Sequence, residues 1–321
     1  MLFAGAIALT LGAGVQSMSL AAIWGAVVAY DPTDPLHVVL AELRLPRLAA
    51  GLIAGTALAV SGSVMQALTR NPLADPGLLG VNAGAAFAVV VGALLMGQNA
   101  AWAIAMLAFP GAALAAVAVF LLGGGLSGEP GPIRLTLAGV AVSVLLLSLV
   151  NGIVLIRSDA LDVYRFWVAG SLAQALQKPL VMLALVTVAG WLLALWLAPL
   201  LDTLALGRNL ARGLGASPLR VQGGALLAVT LLTGAGVAVA GPIAFVGLIV
   251  PPLTRRLTGC HDLRTEVLAA PVVGATVLLL ADGVGRLVLA PAEVRVGVMT
   301  AIIGGPVFIW IARTLRPGEQ R

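Results

Sequence analysis

The chain has 321 residues, 60% of them hydrophobic and 10% charged, with a mean hydropathy of +1.09. A soluble globular domain carries about 25% charged residues, so the composition excludes one and points to an all-α, polytopic membrane protein forming a single transmembrane domain over residues 1–321. The net charge of +5 lies mostly in loops, where it orients a membrane protein and calls for no nucleic acid; the single cysteine, Cys260, excludes a disulfide framework and a multi-cysteine metal site.

A bilayer core of about 30 Å takes about 20 residues of helix, and about ten apolar runs approach or exceed that length. The first extends from Leu2 to Tyr30 and reads as a membrane helix rather than a cleaved signal, because no basic segment precedes it. A loop from Asp31 to Glu42 contains Pro32 and Pro35. The second run is Arg44 to Leu68 and the third Leu78 to Met96. Between them lies the turn Asn71-Pro72-Leu73-Ala74-Asp75-Pro76, whose prolines keep it from continuing as helix. The fourth run, Ala100 to Leu122, contains Pro110, and the fifth is Arg134 to Ile156. After a polar stretch from Arg157 to Lys178, the sixth is Pro179 to Leu200.

The longest hydrophilic interruption, residues 202–220, follows. Two short helical pieces part near Gly213 to Gly215, and Ser217-Pro218 restarts a helix. A small-residue loop with a basic edge suits insertion into the cleft of a soluble partner. The seventh run is Val221 to Ala240, broken by Gly241-Pro242; the eighth is Ile243 to Leu257, the ninth Val267 to Leu289 and the tenth Val294 to Ala312, before a basic tail. With both termini on one side, eleven of the 18 lysines and arginines collect there, which makes that side cytoplasmic. The stretch GTALAVSG (Gly55 to Gly62) weakly echoes GAGVAVAG (Gly234 to Gly241), and the two cross in opposite directions, as inverted repeats do; chance recurrence in a chain rich in Ala, Gly and Val is the alternative reading.

No phosphate-binding loop exists: the only lysine, Lys178, precedes Pro179. The chain is therefore not an enzyme, and ATP-driven work needs a separate subunit. No cofactor or metal is called for; His37 and His261 fall in different loops, and Cys260-His261-Asp262 reads as a solvated segment. Asp282 and Arg286 are four apart on the ninth run and share a helix face. Arg286 and Arg44 lie at one predicted level, as exposed arginines available to an acidic partner.

Several spaced motifs resemble the permease subunits of bacterial ABC importers for iron–siderophores, haem and cobalamin. They are RLPR (from Arg44), GTALAVSGSVMQALTRNPLADPGLLGVNAG (Gly55 to Gly84), LAGVAVS (Leu137 to Ser143) and WVAGSL (Trp167 to Leu172). LALGRNLARGLGAS (Leu204 to Ser217), GPIAFVGLIVP (Gly241 to Pro251), LLLADGVGRL (Leu278 to Leu287) and VGVMTAIIGGPVFIW (Val296 to Trp310) complete them. The resemblance implies a type II importer permease with ten helices in the bacterial inner membrane, both termini cytoplasmic. It also implies a second permease chain, identical or related, two ATP-binding subunits and a periplasmic substrate-binding protein.

By the same resemblance, Arg44 and Arg286 contact glutamates of the binding protein, and Asn71 and Leu73 help form the cytoplasmic gate. Leu206, Gly207, Arg208, Ala211, Arg212, Leu214 and Gly215 belong to the ATPase-coupling helix. Three places depart from the family pattern: Pro251-Pro252 replaces Pro-His, Glu293-Val294-Arg295-Val296-Gly297 replaces Glu-Leu-Pro-Val-Gly, and Pro132 and Ile133 stand where the second gate loop carries small hydroxyl residues. The implied cargo is a ferric siderophore or other iron chelate, with haem or cobalamin as the alternative. An ion-coupled secondary transporter centred on Asp282 is the reading from another class; an intramembrane enzyme lacks a visible catalytic set.

Overall fold

The computed structural model describes residues 1–14, 18–96, 101–125, 132–213, 215 and 217–314. The helices are α1 (Leu2–Gly12), α2 (Leu20–Val28), α3 (Pro35–Val39), α4 (Leu45–Thr69), α5 (Val81–Met96), α6 (Ala101–Phe120), α7 (Pro132–Ile156) and α8 (Ser158–Val168). They continue with α9 (Leu180–Ala205), α10 (Arg208–Gly213), α11 (Pro218–Ala240), α12 (Val246–Thr258), α13 (Leu263–Val288) and α14 (Val296–Thr314). A π-helical turn, Leu40–Arg44, joins α3 to α4 in one continuous rod from Pro35 to Thr69. That rod, α6, α7, α9, α11 and α13 contain stretches long and apolar enough to cross a membrane; α1, α5 and α14 supply shorter apolar stretches.

The expected spans fall on these helices, with two differences. The expected loop from Asp31 to Glu42 is helical from Pro35 onward, because Asp34 caps α3 and accepts from the Leu36 N–H, so the second span begins there and not at Arg44. The run from Leu2 to Tyr30 is not one helix. α1 stops at Gly12, Ala13 is extended, and Gly14 has φ +152°. α2 then restarts behind Ser19, whose side chain accepts from the Ala22 N–H. Gly12, Gly14 and the capping serine are local stop and start signals that an apolarity count passes over.

α4 and α11 form the centre. The most apolar windows of these two helices are 72% and 78% buried, against 17% in α7, which lies outside. Small residues make this possible, because lipid tails are as apolar as leucine and helices in a membrane gain by approaching closely. At the crossing of α4 with α13, a Cβ on Gly274 would stand 2.3 Å from the Gly55 carbonyl oxygen. The two backbones touch where any side chain would force them apart.

The packing also repeats. α4 packs on α13 as α11 packs on α6, and α5 packs on α6 as α12 packs on α13. Exchanging α4–α7 with α11–α14 therefore maps each of these pairs onto another pair. The echo between Gly55–Gly62 and Gly234–Gly241 falls on the two helices that this exchange makes equivalent.

Candidate functional site

Arg44 and Arg70 bracket α4, about 39 Å apart at 1.5 Å per residue. Each end of the bundle carries a polar cluster built around that helix.

At the Arg44 end, the break after α1 leaves its last carbonyls without helical donors. Two arginines supply them. Arg44 Nη1 donates to the carbonyls of Leu11 and Gly12, the latter at 3.2 Å. Arg286 donates through Nη1 to the Ala13 carbonyl at 2.8 Å and through Nη2 to the Thr10 carbonyl at 3.0 Å. Cations at a helix C-terminus also oppose its dipole. The exposure expected of these arginines is thereby corrected: Arg44 is 5% and Arg286 6% exposed in this chain. The stop in α1 creates acceptors that the sequence pattern alone does not display.

The pairing of Asp282 is also different from the simplest expectation. Its carboxylate lies 3.4 Å from Arg286 Nε, one helical turn away. Its closer partner is Arg47, whose Nη2 donates at 2.8 Å and Nε at 2.9 Å. Arg47 Nη1 reaches the Glu293 carboxylate at 2.8 Å. One guanidinium thus joins α4, α13 and the segment before α14. Lys178, in the connection before α9, donates to the Val239 carbonyl of α11; burial lowers its pKa to about 8.

At the other end, α4 closes on Arg70 in the left-handed conformation, φ +53°. Asn71 Oδ1 then accepts from the Leu73 N–H at 2.9 Å, and Asp75 Oδ1 accepts from the Gly77 N–H at 2.8 Å. These two side chains shape the turn that carries Asn71 and Leu73. Burial raises the Asp75 pKa, and the Gly77 N–H opposes that shift. The turn rests on the start of α12, where a Cβ on Gly247 would meet Pro76 Cδ at 2.8 Å.

α12 runs unbroken through Pro251 and Pro252. The two prolines remove the donors for the carbonyls four residues earlier, Gly247 and Leu248. The side chain of Gln66 faces both: Nε2 lies 3.5 Å from the Gly247 oxygen and 3.3 Å from the Leu248 oxygen. Gln66 Oε1 accepts from Arg255 Nη2 at 3.0 Å, and Arg255 Nη1 donates to Glu266 at 2.9 Å. The second proline, a departure from the family pattern, is accommodated by one amide 4% exposed.

The segment expected to couple to an ATPase is a short helix between two left-handed glycines, Gly207 (φ +116°) and Gly215 (φ +84°). Ala211 is buried, while Leu206, Leu210 and Arg212 are exposed. Arg208 opens α10, and Leu214 lies outside the described residues. Arg70 Nη2 donates to the carbonyl of Leu204, two residues before Leu206. Ile133 is exposed at the start of α7, and residues 126–131 of the preceding loop lie outside the described residues.

Sequence reasoning did not single out Arg47, Gln66 or Glu293, nor give Arg70 a role. A signal exists for Gln66 alone: a lone amide in an apolar run, facing a helix with two successive prolines.

The family model described as the FecCD transport family matches residues 2–314. The ferric enterobactin transport system permease protein FepD of Escherichia coli is 45% identical, over 96% of this chain and 91% of its own length. The iron(3+)-hydroxamate import system permease protein FhuB of Bacillus subtilis is 40% identical, over 99% and 84%. The hemin transport system permease protein HmuU of Yersinia pestis is 37% identical, over 96% and 91%. A metal-chelate type ABC transporter solved in an inward-facing conformation superposes with a TM-score of 0.85 at 29% identity, covering 98% of this chain and 97% of that one. With its helices, its motifs and its relatives in agreement over nearly the whole length, the chain belongs to the FecCD transport family.

Proposed function

We propose that this chain is the permease subunit of an ATP-driven importer that moves a ferric siderophore or other iron chelate into the cytoplasm. It spans the bacterial inner membrane with both termini cytoplasmic and pairs with a second permease chain. Two ATP-binding subunits serve the pair, one docking on the α10 of this chain, and a periplasmic binding protein docks at the Arg44 end. Family membership supports the transport role, and the 45% identity to a ferric enterobactin permease favours iron chelate as cargo.

One contact carries the mechanism: Arg70, at the turn with Asn71 and Leu73, holds the Leu204 carbonyl at the entrance to the coupling helix. Movement of α10 under an ATPase is passed through Leu204 to Arg70, and the adjoining turn opens as the gate. The exposed leucines of α10, Leu206 and Leu210, are the apolar surface an ATPase cleft would cover. At the opposite end, Arg44 and Arg286 meet the binding protein's carboxylates when α1 gives up their guanidinium groups.

The test is uptake into proteoliposomes holding the permease, its ATPase and its binding protein. ATP-dependent entry of a ferric siderophore, absent for haem and cobalamin, is the expected result. Uptake of haem alone would move the cargo to the alternative suggested by the 37% identical hemin permease. Uptake that proceeds with a disabled ATPase and is lost in Asp282→Asn would instead support the secondary transporter; here Asp282 is already paired by Arg47 and Arg286.

A further inference from the structure

α12, α13 and α14 enclose a half-open groove of about 430 Å³ that none of the transport roles above uses. Its walls are aliphatic and aromatic along almost their whole length. Thr300 is one polar contributor, and its hydroxyl is occupied by the Gly297 carbonyl at 3.0 Å. The other is Arg256, at the end formed by the last turns of α12 and α14. Arg256 lies over the Trp310 ring at 4.3 Å. No carboxylate among the described residues pairs with it.

Three dimensions agree with one class of ligand. From Thr300 to Trp310 the groove follows ten residues of α14, about 15 Å of rise. That is half of a hydrocarbon core about 30 Å thick, the depth of one leaflet. The charged end carries a tryptophan, the side chain enriched where the hydrocarbon meets the headgroups. Arg313, one turn beyond Trp310 on α14, is exposed at the same end and adds a second cation. Basic pockets between membrane helices are the usual seats of anionic headgroups.

We propose that this groove is a binding site for an anionic phospholipid, with an acyl chain between α12, α13 and α14 and the phosphate at Arg256. On the orientation proposed above, the lipid belongs to the cytoplasmic leaflet. Its acyl chain fills the gap beside α13, which also packs on α4, so an occupied site supports the centre of the bundle from outside. Membranes without anionic lipid would leave that gap to zwitterionic lipids, whose phosphate carries its own ammonium beside it and gains less from the arginine.

The test uses the full permease–ATPase complex, delipidated in detergent and titrated with phosphatidylglycerol or phosphatidylcholine of matched chains, with bound lipid counted by native mass spectrometry. Phosphatidylglycerol is expected to bind more tightly, and Arg256→Gln to weaken it about fivefold while weakening phosphatidylcholine distinctly less. Val307→Trp, which fills the groove, is expected to reduce both. Equal affinities for the two lipids, or an Arg256→Gln complex that binds phosphatidylglycerol as the parent does, would overturn the proposal. So would efficient disulfide formation between Ile303→Cys residues of two permease chains with no lipid retained, which assigns the groove to a second copy. Arg256 is exposed, so its variant tests the site even if Val307→Trp does not fold.

Discussion

Gln66→Met removes both polar atoms of the amide that faces Pro251 and Pro252 while keeping most of its volume. The bonds to the Gly247 and Leu248 carbonyls, at 3.5 and 3.3 Å, lie beyond the usual range and merit about 0.5 kcal/mol each. The bond from the Arg255 guanidinium is charge-assisted and is worth about 1.5 kcal/mol. Interhelical hydrogen bonds in membranes average about 0.6 kcal/mol, so the expected loss is about 2 kcal/mol. Pro252→Ala separates the two parts, because residue 252 then offers its own N–H to the Leu248 carbonyl. In that background the Gln66→Met loss is expected to shrink by about 0.5 to 1 kcal/mol. The four proteins of the cycle are compared by dodecyl sulfate titration in mixed micelles, followed by circular dichroism. Additivity within about 0.3 kcal/mol would refute the claim that Gln66 serves the carbonyl left free by Pro252.

Arg47→Met leaves Asp282, 1% exposed, with only the more distant Arg286; a loss of about 3 kcal/mol in the same titration is expected, largely recovered by adding Asp282→Leu. A loss below 1 kcal/mol would show that Arg47 is dispensable. Burial of Lys178 depresses its folded pKa to about 8 from 10.5, so the neutral form is favoured in the fold and stability rises as pH climbs through 8. Between pH 7 and 9.5 the parent is expected to gain roughly 1 to 2 kcal/mol over Lys178→Met, and parallel pH profiles would contradict that. Arg44→Gln with Arg286→Gln is expected to weaken binding-protein docking, most at low salt, as read by surface plasmon resonance; unchanged affinity there rejects the docking role. Gly215→Val places a β-branched side chain at φ +84° and is expected to release ATP hydrolysis from transport in proteoliposomes, whereas a normal coupling ratio argues against α10 as the coupling element.

The helices were legible in the sequence because a membrane imposes length and apolarity on each crossing. The break after Gly12 was not, since an apolar run continues on both sides of it and only Gly12, Gly14 and Ser19 mark the stop. The turn after Arg70 and the short helix α10 could be placed from spaced motifs, because their local geometry follows from Asn71, Asp75, Gly207 and Gly215 themselves. The partners of Arg47 and Gln66, and the carbonyl partners of Arg44 and Arg286, were hidden for a different reason. Each lies more than 30 positions away along the chain, on an element whose facing side is fixed only when α4 meets α1, α12 and α13. Asp282 with Arg286 was the pair that spacing suggested, and the geometry adds Arg47 at closer range.

The clasp of Arg44 and Arg286 on the end of α1 bears on how fast a docked partner can leave. An arriving carboxylate does not find a bare cation; it must displace carbonyl oxygens that already hold the guanidinium protons. The docking proposed through these residues would be an exchange of acceptors, its free energy the difference between two sets of bonds rather than the worth of either. A small difference means a short residence time, and the displaced end of α1 stays at hand to retake the arginines. On the docking proposed for this end, release of an emptied carrier would have its own driving element within the chain, separate from events at an ATPase.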